Sequence, residues 1–260
     1  MRDKIFNTPK DPLVKFTFDK QVADVFPDMI ERSVPGYATT IAMIGVLVAQ
    51  YARSGSNCYD LGSSLGAVTL AMRRHITGNV KIIAVDNSKA MVERSLKIID
   101  RDHSTIPVTV ICDDIRNVAI ENASVVVLNF TLQFLQPLQR NQMVEKIFEG
   151  LLPGGIFILS EKIKFSDEAE QTNQTNWHHA FKKANGYSEL EIAQKRSALE
   201  NVLIPETEQI NIERLKNAGF TEIHKWFQCY NFISLPNINE LTQPWLDSLN
   251  RDFPEFVEKH

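Results

Sequence analysis

Asn57-Cys58-Tyr59-Asp60-Leu61-Gly62-Ser63-Ser64-Leu65-Gly66 decides the fold class of this chain. The run 58–61 predicts a strand that stops at Gly62, and 67–72 opens a helix. Glycines at a strand-to-helix turn let the backbone bend sharply and let a ligand approach where a Cβ would stand. The spacing is acidic-x-Gly-x-x-x-Gly, not the Gly-x-Gly-x-x-Gly of a pyrophosphate-binding dinucleotide loop. Pyrophosphate wants convergent amides and no carboxylate nearby, whereas Asp60 can accept a hydrogen bond from an ammonium group. Two readings stand side by side. One is an ordinary tight turn of an α/β protein; the other is a cradle for a phosphate-free amino-acid nucleoside such as S-adenosyl-L-methionine.

Downstream, the apolar strand 80–85 ends in Asp86-Asn87-Ser88. In doubly wound folds a carboxylate at this position accepts both ribose hydroxyls. Asp at a strand end is also an ordinary cap, and Ser88 suits the start of a helix over 90–99. Strand 108–112 ends in Asp113-Asp114-Ile115, where an acid suits the exocyclic amine of adenine and Ile115 its ring face. Strand 124–128 is continuously apolar, as expected of a strand covered on both faces, and places Asn129 at its carboxyl end. A helix over 139–150, the turn Pro153-Gly154-Gly155 and a strand over 156–160 follow. Strand, acid and helix recur in order, which excludes all-α and all-β folds and predicts a Rossmann-like α/β sheet.

The flanking regions predict a single domain with additions: a helical cap over 1–50, a core over 51–161 and 206–235, a helical insertion over 162–205, and a tail over 236–260. In the cap, Asp19 is the expected N-cap of a helix within 16–32, and Tyr37 opens a second, apolar helix. Its run 41–49 reads as buried. This hairpin precedes the Gly loop and can close over a ligand; Tyr37 equally suits a half-buried aromatic at a helix start.

The insertion predicts a helix over 165–184, stopped by Asn185-Gly186, and a second to about 203 behind a Ser188-Glu191 capping box. His178 and His179 are adjacent, point in different directions, and read as surface or interface residues rather than a metal pair. Arg196 reads either as a solvated arginine or as an anion clamp that stays charged when desolvated. A helix over 208–217, a stop at Gly219 and strands over 221–226 and 227–233 predict an antiparallel sheet edge. Pro236 has no N–H for a ladder and predicts a truncated last strand.

The whole-chain balance is 28 basic against 32 acidic residues, with no long basic run, which disfavours direct nucleic-acid binding. The 3 cysteines, Cys58, Cys112 and Cys229, lie far apart; no metal site and a reducing, cytoplasmic setting are expected. No window reads as a signal core or a membrane span.

Several stretches together carry a resemblance. They are 26–37 with Arg32-Ser33-Val34-Pro35-Gly36-Tyr37, then Tyr59-Asp60-Leu61-Gly62, Leu128-Asn129-Phe130-Thr131-Leu132-Gln133-Phe134-Leu135, Ala184-Asn185-Gly186-Tyr187-Ser188-Glu189-Leu190-Glu191 and Trp226-Phe227-Gln228-Cys229. Over roughly 5–233 the chain closely resembles the carboxy-S-adenosyl-L-methionine synthase family, which has the class I methyltransferase fold. The resemblance implies an enzyme that turns S-adenosyl-L-methionine and prephenate into carboxy-S-adenosyl-L-methionine and phenylpyruvate. It implies a homodimer, and a partner tRNA carboxymethyltransferase that uses the product to make the 5-oxyacetic acid of wobble uridine. The cofactor contacts it implies fall on Tyr37, Gly62, Ser63, Ser64, Asp86, Asn87, Asp114, Ile115, Asn129 and Arg196, beside Asp60 from the loop reading. It also implies that Arg196 clamps the new carboxylate, in cis or across the dimer, and that Tyr37 belongs to the reacting centre. Ser63 replaces the family's usual cysteine, and the tail 236–260 departs from the family's short ending. A small-molecule methyltransferase and a cofactor-binding module without turnover are the competing classes.

Overall fold

The structure is a computed structural model and describes residues 1–9 and 15–239. Its strands are β1 (Asn57–Leu61), β2 (Lys81–Asp86), β3 (Val108–Cys112), β4 (Ala123–Asn129), β5 (Leu151–Lys162), β6 (Glu222–Ile223), β7 (Phe227–Cys229) and β8 (Phe232–Ile238). They form one sheet in the order β3-β2-β1-β4-β5-β8-β6, with β7 paired to β8. β1 to β5 are mutually parallel, and β8 runs antiparallel to β5, β6 and β7. The helices are α1 (Lys20–Ser33), α2 (Tyr37–Tyr51), α3 (Ala67–His75), α4 (Lys89–Asp100), α5 (Pro137–Gly150), α6 (Glu168–Ala184), α7 (Glu189–Leu199) and α8 (Glu208–Ala218).

The alternation along β4 explains the layering. Val125 and Val127 join Ile44, Val48, Val68 and Met72 of α2 and α3 in one core. Val126 and Leu128 join Met143, Val144, Ile147 and Leu215 of α5 and α8 in the other. Successive strand residues point to opposite faces, so an unbroken apolar run requires cover on both. The expected Rossmann-like α/β fold is therefore present. Strand order reverses between β1 and β4, and ligands collect at the carboxyl ends of strands beside such a switch point.

Local signals account for most element ends. Asp19 accepts from Val22 N at 3.0 Å and starts α1 as the N-cap the sequence predicts. Ser88 caps α4 by accepting from Met91 N, and the Ser188–Glu191 capping box starts α7, which ends at Leu199 rather than near 203. The expected burial of 41–49 holds for Ile44 and Val48, whereas Met43 and Val46 are more than a third exposed. α2 is apolar on two faces, and only one meets the core.

Two expectations at the carboxyl end are corrected. The run 227–233 is not one strand: Tyr230, at φ +52°, turns the chain between β7 and β8. Nor does Pro236 truncate β8, which pairs with β5 through Ile156↔Ile238. Pro236 O accepts from His224 N at 3.1 Å, so its backbone faces the irregular stretch between β6 and β7. The missing N–H is therefore not asked for by β5. Residues 240–260 of the tail lie outside the described residues.

Candidate active site

Gly62 sits where β1 leaves the sheet, at φ +79°, and a Cβ there would overlap the Thr131 side chain. The loop after β4 thus packs directly on bare backbone, a close approach that only glycine permits. Gly62 N and Ser63 N both donate to Val85 O, at 2.8 and 2.9 Å, which ties the turn to β2. Ser64, at φ +50°, donates its amide to Asp86 Oδ2 at 2.8 Å, while Asp86 Oδ1 accepts from Ser88 N at 2.8 Å. Burial raises the Asp86 pKa, and these two amides hold it back. Phe130, just after Asn129, is also left-handed at φ +60°. Non-glycine residues held in this region are strained and cluster at functional sites.

Asp60 is almost fully buried beneath this turn. Its Oδ2 accepts from Thr69 N at 2.9 Å and Thr69 Oγ1 at 2.6 Å. Burial pushes its pKa up to about 6 against the two Thr69 bonds, with the Asp86 charge adding to the rise. The Tyr37 phenol is raised by burial and then by the Asp60 charge, so it stays neutral and stands in the neighbourhood of that carboxylate.

The adenine end is assembled differently from the sequence expectation. Ile115 is buried, but both Asp114 oxygens are held by Arg116, from Nε at 2.8 Å and Nη2 at 2.6 Å. That hydrogen-bonded guanidinium lowers the Asp114 pKa. Arg116 is exposed and must turn aside, or share a lone pair, for Asp114 to receive an adenine amine. Asn87 is exposed beside Asp86.

The chemistry of a phosphate-free nucleoside ligand fits what the turn leaves unsatisfied. Ser63 Oγ and Asn129 Oδ1 are buried atoms with no hydrogen-bond partner among the described residues. An unmade buried bond costs about 1–3 kcal/mol, so a ligand edge that supplies partners recovers it. Among the described residues no group of three or more His, Cys, Asp or Glu stands at metal-binding geometry.

The cap packs on this edge, and the insertion packs on the cap. The Phe18 ring packs on Phe16, Phe26 and Phe134, so the cap reaches the loop after β4, while Ser88 Oγ donates to Phe18 O. Arg32 donates from Nε to Asn185 O at 2.7 Å and lies 3.8 Å over the Tyr187 ring. Buried Asp3 accepts from the Tyr187 hydroxyl. The stretches 26–37 and 184–191 therefore brace the insertion against α1.

His178 corrects a further expectation. It is not a surface residue: its Nε2 lies 2.8 Å from Ser33 O, and its ring packs edge-on against Phe232. Burial, then Lys182 and Lys162, push its pKa down to about 2, so it is a neutral brace. Sequence reasoning also missed the roles of Thr69, which lies in no motif, and of Thr131, which lies inside the 128–135 stretch of the resemblance; only the fold brings them to Asp60 and Gly62.

Arg196 stands apart from the Gly loop, on α7. It lines a cavity of about 260 Å³ together with Lys162, His178, Lys182 and Asn231. Arg196 is exposed, and among the described residues no carboxylate lies within 4.0 Å of its guanidinium, so it is open to solvent and to an incoming anion alike.

Comparison with known proteins decides among the classes. The carboxy-S-adenosyl-L-methionine synthase of Geobacter sp. (strain M21) is 59% identical over 235 residues, covering 90% of this chain and 96% of that protein. The chain belongs to the carboxy-S-adenosyl-L-methionine synthase family. The synthases of Mannheimia succiniciproducens, 55% identical over 90% of this chain and 98% of that one, and Vibrio parahaemolyticus, 57% identical over 90% and 96%, agree. The "Methyltransferase domain" family matches residues 59–155, from the middle of β1 into β5. Solved structures share the fold of this synthase. An O-methyltransferase family protein from Burkholderia thailandensis superposes with a TM-score of 0.61 at 16% identity, over 85% of this chain and 60% of that one. An S-adenosyl-L-methionine-dependent methyltransferase structure from Methanococcus maripaludis gives 0.56 at 19%, over 91% and 98%. As a member of this family the protein is an enzyme, and the module without turnover is set aside.

Proposed function

We propose that this synthase converts S-adenosyl-L-methionine and prephenate to carboxy-S-adenosyl-L-methionine, phenylpyruvate and water. The observation that carries the reading is the convergence of exposed Arg196 with Lys162 and Lys182 on one cavity, none of the three having a carboxylate within 4.0 Å among the described residues. A methyl transfer leaves no new anion to hold; a carboxyl transfer does.

Asp86 accepts the ribose hydroxyls and Asp60 faces the ligand ammonium. Gly62 gives the turn its close approach, Ser63 and Ser64 offer their polar groups to the ligand, and Asn87 stands beside Asp86. Asp114 and Ile115 take the adenine, and Asn129 and Tyr37 border the sulfonium end. Prephenate breaks the bond to its ring carboxyl, the electron pair aromatises the ring, and the C4 hydroxyl leaves as hydroxide. That hydroxide takes a proton from the S-methyl group and becomes water, and the methyl carbon bonds the carbon dioxide. No protein base is required, so the chain's own work is positioning and charge stabilisation. Arg196 pairs with the new carboxylate.

The enzyme works as a homodimer in the cytoplasm, with Arg196 in cis or across the interface, and a tRNA carboxymethyltransferase consumes its product. Exposed Met43 and Val46 on α2 and Trp177 on α6 support an apolar interface, and the free Cys58, Cys112 and Cys229 fit a reducing compartment. The test is to incubate the purified protein with both substrates and follow phenylpyruvate and the nucleoside product together. Equal amounts of phenylpyruvate and a carboxylated nucleoside are expected. Accumulation of S-adenosylhomocysteine, with no dependence on prephenate, would overturn the reading.

A further inference from the structure

The cavity beside Arg196 contains more positive charge than one carboxylate requires. Lys182 is 9% exposed, and Lys162 ends β5 on the wall of the same space. Neither ammonium has a carboxylate within 4.0 Å among the described residues. Lys195, by contrast, is spoken for: it donates to Ser33 Oγ at 2.8 Å and lies 4.0 Å from Asp3. Glu200 is the acid on the cavity wall and pairs with neither lysine. Asn231, 3% exposed, also lines the cavity, and its buried Oδ1 has no partner among the described residues.

Burying like charges together is expensive unless an anion joins them. That cost is visible in the lysines themselves: burial, and then the neighbouring cations, lower the pKa of Lys182 to about 7 and depress that of Lys162. The cavity is also in the right place. Ser160 pairs with Asn129 across β4 and β5, and Lys162 lies two residues further along, roughly 7 Å at strand rise. A molecule in the cavity therefore extends from the carboxyl edge that holds Asn129. At about 260 Å³ the space suits a compact metabolite rather than a chain segment.

We infer that this cavity is a dicarboxylate site in which Lys162 and Lys182 grip the carboxylate that the substrate keeps, while Arg196 faces the one that is transferred. The inference rests on the proposed reaction and sharpens it: the two lysines are specificity-determining residues, and phenylpyruvate leaves from their grip.

The test uses the full-length protein loaded with S-adenosyl-L-methionine, titrated with prephenate and with phenylpyruvate, alongside initial rates. Lys162→Met and Lys182→Met are each expected to raise the KM for prephenate and the Kd for phenylpyruvate at least tenfold. Affinity for S-adenosyl-L-methionine stays unchanged, and Lys182→Arg recovers most of the loss. Folded methionine variants with wild-type KM and wild-type phenylpyruvate affinity would overturn the inference. If the wild type makes no product from prephenate, the proposed reaction fails, and malonate becomes the probe. Malonate binding that is lost in Lys182→Met still upholds a dicarboxylate site; a wild type that does not bind malonate rejects it.

Discussion

Asp60 accepts both of its Thr69 hydrogen bonds through one oxygen, Oδ2, from the amide at 2.9 Å and from the hydroxyl at 2.6 Å. The carboxylate is thus held in place from one side while burial pushes its pKa up to about 6. A ligand ammonium pairs with the ionised form, so affinity for S-adenosyl-L-methionine rises with pH through about 6 and levels off above it. Thr69→Val removes one stabilising bond and moves that midpoint upward. Calorimetric titration across the pH range checks this; an unmoved midpoint in the variant contradicts it.

Glu161 supplies a stability prediction of defined sign. It is buried near Arg140, Arg214 and Glu206, and burial outweighs the arginines to push its pKa up from 4.5 to about 8. Between those values the native state keeps a proton that the unfolded chain releases, so Glu161 makes stability fall as pH rises through that window. Glu161→Gln removes that slope. Its melting temperature exceeds the wild type's by several degrees at pH 9 and converges with it near pH 4.5. A gap that is the same at both pH values contradicts the assignment.

Gly62→Ala tests the close approach of Thr131. The added Cβ overlaps the Thr131 side chain in a left-handed backbone, and the variant loses more than about 2 kcal/mol in urea unfolding. Adding Thr131→Ala relieves the contact but not the φ, so the double variant recovers only part of the loss.

Arg196→Ala tests the clamp. A charge-assisted hydrogen bond is worth about 1.5–3 kcal/mol, so affinity for the carboxylated nucleoside falls roughly ten- to a hundredfold. Affinity for S-adenosyl-L-methionine changes little. Equal losses for the two ligands contradict the clamp.

Much of the fold is legible in the sequence alone. The Gly turn, the acid closing β2 and the Ser188–Glu191 box are local signals, because each is set by residues within a few positions of one another. Pro236 misleads because tolerance of proline depends on which neighbour its N–H would face, and that is a property of the sheet. His178 misleads because two adjacent helical positions diverge, and only the docking of α6 on α1 decides which one is buried. The cavity is invisible in the sequence for a similar reason: Lys162, Lys182 and Arg196 come from β5, α6 and α7 and converge only on folding. Asp114 carries its own lesson, since Arg116, two residues away, occupies the oxygens its position offers to adenine.

The most direct measurement is mass spectrometry of the nucleoside released by denaturing the purified protein after incubation with S-adenosyl-L-methionine and prephenate. A species heavier than S-adenosyl-L-methionine by one carbon dioxide is the predicted result. Only S-adenosyl-L-methionine or its demethylated product, with prephenate unconsumed, would contradict the account.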